Sequence, residues 1–160
     1  MLSFFKRKQT AVTDILSSKL FDEKQFYQTF INDLRDCKKE VIIESPFITE
    51  SRAYMLMPLF KKLLEQNVKI FVITRSSNEH DEILKEQAEK IISTFETIGV
   101  QVFLCIGNHH RKLAIIDRKI LWEGSLNILS QTKSREIMRR IQSEQLALEM
   151  FKFLKFGEYI

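Results

Sequence analysis

Two cysteines, two prolines and four glycines in 160 residues leave little material for a cross-linked or irregular fold. Cys37 and Cys105 stand far apart with no CxxC neighbour, so a disulfide framework or a zinc site has little support, and both thiols are expected to be buried. No apolar run approaches the roughly 18–20 residues of a membrane span, and no tract is of low complexity. The opening MLSFFKRKQT sets its apolar residues before its basic ones and lacks the apolar core of a secretory leader. These absences predict a soluble cytoplasmic protein with no membrane partner. Residues 1–20 are read as a basic N-terminal extension, and 21–160 as one domain. A 44% hydrophobic composition suffices for a core of that size. Neither sign of charge dominates: 25 basic against 21 acidic residues permit attraction to a polyanion without requiring it.

What is present is alternation of two periodicities. FDEKQFYQTFINDLRDC spaces Phe21, Phe26, Phe30 and Leu34 four or five apart behind acidic residues, which predicts an amphipathic helix. EVIIES (40–45), VKIFVIT (68–74) and VQVFLC (100–105) are β-branched runs of the kind found in parallel strands buried on both faces. Helical patterns at 51–66 and 81–98 separate them, with Pro58 predicting a kink or late start in the first. Strand, helix, strand, helix, strand is the rhythm of a layered α/β sheet with right-handed crossovers. Further on, RKLAIID and KILWEG flank Asp117-Arg118 and predict a tight hairpin. A polar loop SQTKS, a strand EIMRRIQS and a closing helix EQLALEMFKFLKF follow. The sheet is therefore expected to be mixed.

Two polar clusters interrupt these core-like runs, HHRK at 109–112 and EGSLN at 123–127. If RKLAIID is a strand, period 2 puts His110 and Lys112 on one face, with Leu113 and Ile115 on the other. Ser125 and Asn127 share a parity on the neighbouring segment, behind Gly124, which allows close approach. An ammonium, an amide, a hydroxyl and an imidazole converging on one spot suit an anionic oxygen cluster such as phosphate. Asp117, of opposite parity and at the turn, reads as an orienting or structural carboxylate. Arg75, at a strand end, can touch phosphate or solvent equally well. His109 reads as a surface or substrate-contacting residue, His80 as part of a helix-start loop, and Trp122 as core or interface.

His110-x-Lys112-x4-Asp117, followed by Gly124-Ser125-x-Asn127, resembles the HKD signature of the phospholipase D superfamily with its GSxN extension. Six fixed residue types would recur by chance in a chain this long roughly once in 10⁶. ESPFIT resembles the family's strand-end segment, and KLAIIDRKILWEGSLNILSQTKSREIMRRI is similar to nuclease-like domains at the C-terminal end of some bacterial helicases. The resemblance implies a phospholipase D-like mixed β-sheet flanked by helices on both faces, and a metal-independent phosphodiesterase that needs no cofactor. In that family one histidine attacks phosphorus, a second protonates the leaving oxygen, and lysine and asparagine hold the phosphate. The resemblance implies catalytic roles for His110, Lys112, Asp117, Ser125 and Asn127, with Glu136 as the carboxylate that orients the histidine. Lys112, Asn127, Arg111 and Arg75 are the expected substrate contacts.

In-line displacement places two histidines on opposite sides of the phosphorus, and only one HxK is in register here. A two-fold homodimer sharing a composite site is therefore expected. The expected substrate is nucleic acid, DNA before RNA, cut by an endonuclease, with a helicase as a possible partner. Two alternatives stand beside it: a phospholipid hydrolase or transferase, and a non-cleaving nucleic-acid-binding module beside a helicase.

Overall fold

The β-branched runs form strands and the Phe- and Leu-spaced runs form helices in a computed structural model that describes residues 17–160. Residues 1–16, most of the expected extension, lie outside the described residues. In chain order the elements are β1 (Ser18–Asp22), α1 (Phe26–Asp36), β2 (Glu40–Glu44), α2 (Glu50–Glu65), β3 (Lys69–Arg75), α3 (Glu82–Ile98), β4 (Gln101–Cys105), β5 (Leu113–Ile116), β6 (Ile120–Gly124), β7 (Ile137–Gln142) and α4 (Glu144–Phe153). Short 3₁₀ turns occupy Ser77–Glu79 and Phe156–Glu158. The strands form one seven-stranded sheet in the order β1-β7-β6-β5-β2-β3-β4. β2, β3 and β4 are parallel; β5, β6, β7 and β1 join by antiparallel pairing, so the sheet is mixed, as expected.

Alternation along each strand divides the core in two. Val41, Ile43, Val72, Ala114 and Trp122 pack among residues of α1, α2 and α3. Ile42, Ile73, Leu113, Ile115 and Leu121 pack with α4 and the last 3₁₀ turn on the other face. Helices thus flank both faces. One buried polar knot ties α1 to the antiparallel half. Asp33 accepts from Trp122 Nε1 at 2.8 Å and from Arg140 Nε and its terminal nitrogen at 2.8 Å each.

Several sequence expectations are corrected. Residues 18–20 belong to β1, which pairs with β7 and extends the sheet into the expected extension. The helix expected from Phe21 starts at Phe26, because Asp22 Oδ1 accepts from Lys24 N (3.0 Å) and Gln25 N (2.9 Å) and turns the chain instead. α2 begins at Glu50 and runs through Pro58 without a late start; Pro58 has no N–H to give the Tyr54 carbonyl, and both residues are exposed to water. β4 is an edge strand with half-exposed side chains, so it is not buried on both faces, and its Cys105 is correspondingly half-buried.

Candidate active site

The β5–β6 hairpin has two ends of opposite character. At the turn end Asp117 and Arg118 both take φ of 52°, as tight hairpins of the primed kind require, and Lys119 N donates to Ile116 O at 2.9 Å. Left-handed backbone in a residue with a side chain costs about 1–2 kcal/mol. Local bonds offset it. The Asp117 carboxylate accepts from Lys39 N (2.7 Å), Lys38 N (2.8 Å) and Glu40 N (3.1 Å), and from the Cys37 thiol (3.3 Å). Burial alone would raise this carboxyl, but those amides and the thiol together hold it below the ordinary aspartate range. The Cys37 thiol is pushed up to about 12, by burial first and Asp117 second. Arg118 binds Glu40 at 2.5 Å and lies over the Phe151 ring at 4.0 Å. Asp117 therefore sits at the far end of β5 from His110, about 20 Å of extended chain away, bonded to the α1–β2 connection.

The opposite end gathers most of the other candidates. Strand pairing starts at Leu113, so His110 and Lys112 lie just outside β5, in the run that leads into it. Lys112 Nζ is 2.7 Å from His110 Nδ1 and 2.7 Å from the His110 carbonyl. An ammonium can only donate, so Nδ1 accepts and the neutral ring carries its proton on Nε2. Burial lowers the Lys112 pKa, and nearby Glu136 partly restores it.

Gly124 N donates to Lys112 O at 3.3 Å, so the GSxN turn begins where the HxK run ends. A side chain at 124 would collide with the Ile137 carbonyl oxygen, which explains the glycine. Ser125 Oγ accepts from Ile137 N at 3.1 Å and fixes that turn to the start of β7, beside Glu136. The Asn127 backbone carbonyl accepts from Ser130 N (3.0 Å) and Gln131 N (2.8 Å), while its side-chain oxygen is buried without a protein partner. Such an atom costs about 1–3 kcal/mol. Turning the amide over would present its NH₂ at the same spot.

A cleft of about 520 Å³ opens here, lined by His110, Lys112, Arg139, Ile137 and Phe153 among others. A second, of about 410 Å³, is lined by Ser125, Glu136, Arg135 and Lys24, and shares Ile137 with the first.

Not every predicted contact is free to meet a substrate. Arg75 binds Glu79 at 2.7 Å and Asn108 at 2.9 Å. Arg111 reaches Glu44 through two nitrogens, at 2.9 and 2.8 Å, though its side chain is still 49% exposed. His109 is not a surface residue. Its side chain is only 8% exposed and lies 3.1 Å from Glu44, too far off line to hydrogen-bond.

Two neighbours were missed in the sequence. The Phe47 ring meets His110 edge-on at 6.4 Å and His80 at 5.1 Å. His80 has its pKa lowered by burial, then by Arg75. Glu44 was visible only as the charge that ends EVII. Nothing in the local pattern could announce its partners 65 and 67 residues on. Among the described residues no cluster of His, Cys, Asp or Glu could hold a metal ion, and no helix is long and apolar enough to cross a membrane.

Comparison with known proteins places this geometry. The family described as cardiolipin synthase, PLD-like domain, matches residues 30–155. NucT from Helicobacter pylori superposes with a TM-score of 0.66 at 18% identity, over 86% of this chain and 92% of its own. Nuc, a phospholipase D family member from Salmonella typhimurium, does so with 0.71 at 13% identity, over 87% and 91%. A phosphatidylserine synthase from Haemophilus influenzae gives 0.61 at 14% identity, over 84% of this chain and 37% of its own. At these identities the likeness is one of fold. No curated protein sequence matches the chain.

Proposed function

This chain belongs to the phospholipase D-like domain family, and on that premise we propose that it is a metal-independent phosphodiesterase that cuts nucleic acid, DNA before RNA. The observation that carries the reading is the Lys112–His110 pair at 2.7 Å on the rim of a cleft, next to a turn whose Asn127 Oδ1 is buried without a partner. A phosphate would draw Lys112 Nζ from Nδ1 onto its own oxygens and, with the amide turned over, accept from the Asn127 NH₂. The ring proton would move to Nδ1, oriented by Glu136, leaving the Nε2 lone pair to attack. The P–N bond forms as the P–O bond breaks, and the leaving oxygen takes a proton from the partner subunit's His110. Water then hydrolyses the phosphohistidine.

The composite site rests on there being one HxK per chain and on the apolar patch beside it, where Leu20, Ile137 and Phe153 are 57%, 59% and 79% exposed. A two-fold axis near the cleft would cover that patch and face the two histidines. Arg111, Arg139, Arg135 and Lys24 around the clefts give a nucleic-acid backbone its counter-charges. An associated helicase would supply single strands.

The same apolar lining favours a second reading, in which an acyl chain occupies the cleft of a phospholipid hydrolase or transferase. One assay decides: single- and double-stranded DNA, RNA and anionic vesicles are each incubated with the protein in EDTA, beside His110→Ala. EDTA-resistant cutting of nucleic acid that the variant lacks is expected. Lipid turnover alone would transfer the proposal to the second reading. Salt-sensitive binding without cleavage would leave a binding module, and metal-dependent cutting would contradict the mechanism. Light scattering should return a dimer mass; full activity from a monomer would remove the composite site.

A further inference from the structure

Glu44 ends β2, opposite Leu113 in the antiparallel pairing with β5, and is 0% exposed. Burying a carboxylate is expensive unless its oxygens are satisfied, and here one of them, Oε2, has no partner. The other holds Arg111, the residue after His110, and lies beside His109, the residue before it. Oε1 accepts from Arg111 Nε at 2.9 Å and from its terminal nitrogen at 2.8 Å, with His109 Nε2 3.1 Å away.

Residues 109, 111 and 113 share one parity in extended chain, and 110 and 112 the other. Inside a sheet, ladder bonds would enforce that alternation. The last cross-strand bond, from Gly124 N, reaches Lys112 O, so over 109–111 something else must. Upstream, Glu79 accepts from Gly107 N (2.7 Å) and Asn108 N (3.3 Å), and Arg75 holds Asn108. His110 is thus suspended between two carboxylate anchors, Glu79 holding residues 107 and 108 before it and Glu44 holding Arg111 after it.

We propose that Glu44 is a positioning residue for His110: by gripping Arg111, it fixes the run that leads into β5 and so turns His110 and Lys112 away from itself, toward the phosphate. This rests on His110 being the attacking group, yet its first test needs no turnover. Imidazole ¹⁵N spectra of the wild type should show one sharp His110 signal of fixed tautomer. In Glu44→Gln, which keeps the volume but loosens the grip, that signal should broaden or split. In the nucleic-acid assay kcat should fall about 10- to 100-fold, with KM within about threefold. The double variant Glu44→Gln/Arg111→Gln should be no worse than the single, because the two act as a unit.

Unchanged His110 spectra in Glu44→Gln would overturn the proposal, as would a rise in KM alone, which would make the pair a substrate-binding device. If Glu44→Gln does not fold, Arg111→Gln, altered at a half-exposed side chain, reads the same His110 signal, and an unchanged spectrum there overturns it equally. Absence of cleavage by the wild type would defeat the nuclease reading, while the spectra would still decide the role of Glu44.

Discussion

The turn end and the open end of the β5–β6 hairpin are built from the same polar residue types and treat them in opposite ways. At the turn, each Asp117 oxygen accepts at least one amide, and Arg118 has both an ion pair and an aromatic ring beneath it. At the open end Asn127 Oδ1, Glu44 Oε2 and His109 Nε2 are buried without hydrogen bonds, and Lys112 rests on a neutral imidazole. Folding alone would favour satisfying those groups. Leaving polar groups unsatisfied at one end only marks where the hairpin gives up stability for the site, and satisfying all of them at the other marks a structural joint.

Substitutions can break that contrast. The largest effect is expected at His110: His110→Ala should lose about 10⁴-fold or more in cleavage, with the melting temperature unchanged. Equal loss of stability would put His110 in the structural class. Next comes Asn127→Ala, which should slow cleavage about 10²- to 10³-fold while the melting temperature holds or rises, since an unpartnered buried oxygen disappears. A marked drop in melting temperature would show that the amide has a partner after all.

Asp117→Ala should show the reverse pattern. Three amides lose a charged acceptor, for about 2–3 kcal/mol of stability and a melting temperature lower by roughly 5–10 °C, with cleavage per folded molecule retained. Activity lost in a fully folded variant would restore Asp117 to the site. The smallest effect is in pH. The folded carboxyl of Asp117 is depressed, so its stabilisation is fully present above the unfolded value of about 4 and fades as pH falls through the folded one. Wild type and Asp117→Asn should therefore converge in acid urea titrations below about pH 4. A gap that does not narrow at all as pH falls below about 4 would show that geometry, not charge, holds the turn.

Much of the fold was readable because burial on both faces of β2 and β3 leaves apolar runs that can be nothing else, as in EVII and KIFVIT. β1 was not readable, since SKLFD has only Leu20 and Phe21 to offer and becomes a strand by pairing with β7. Parity put His110 and Lys112 side by side correctly in sequence terms, although the ladder stops short of His110 and touches Lys112 through one long bond from Gly124 N. Their alternation comes from Glu44, a residue far away in the chain, and long-range side-chain anchoring leaves no periodic trace. Arg75 and Arg111 looked available for phosphate for the same reason: a sequence shows charges but not what they already hold.

The missing side chain at Gly124 has a mechanical consequence. The Ile137 carbonyl occupies the volume a methyl would need, and Ile137 is also the wall common to the two clefts. The wall between them consequently rests against a void one carbon wide. Any residue larger than glycine there would act as a wedge, levering β7 away and reshaping both chambers together, so neither can be tuned through position 124 alone.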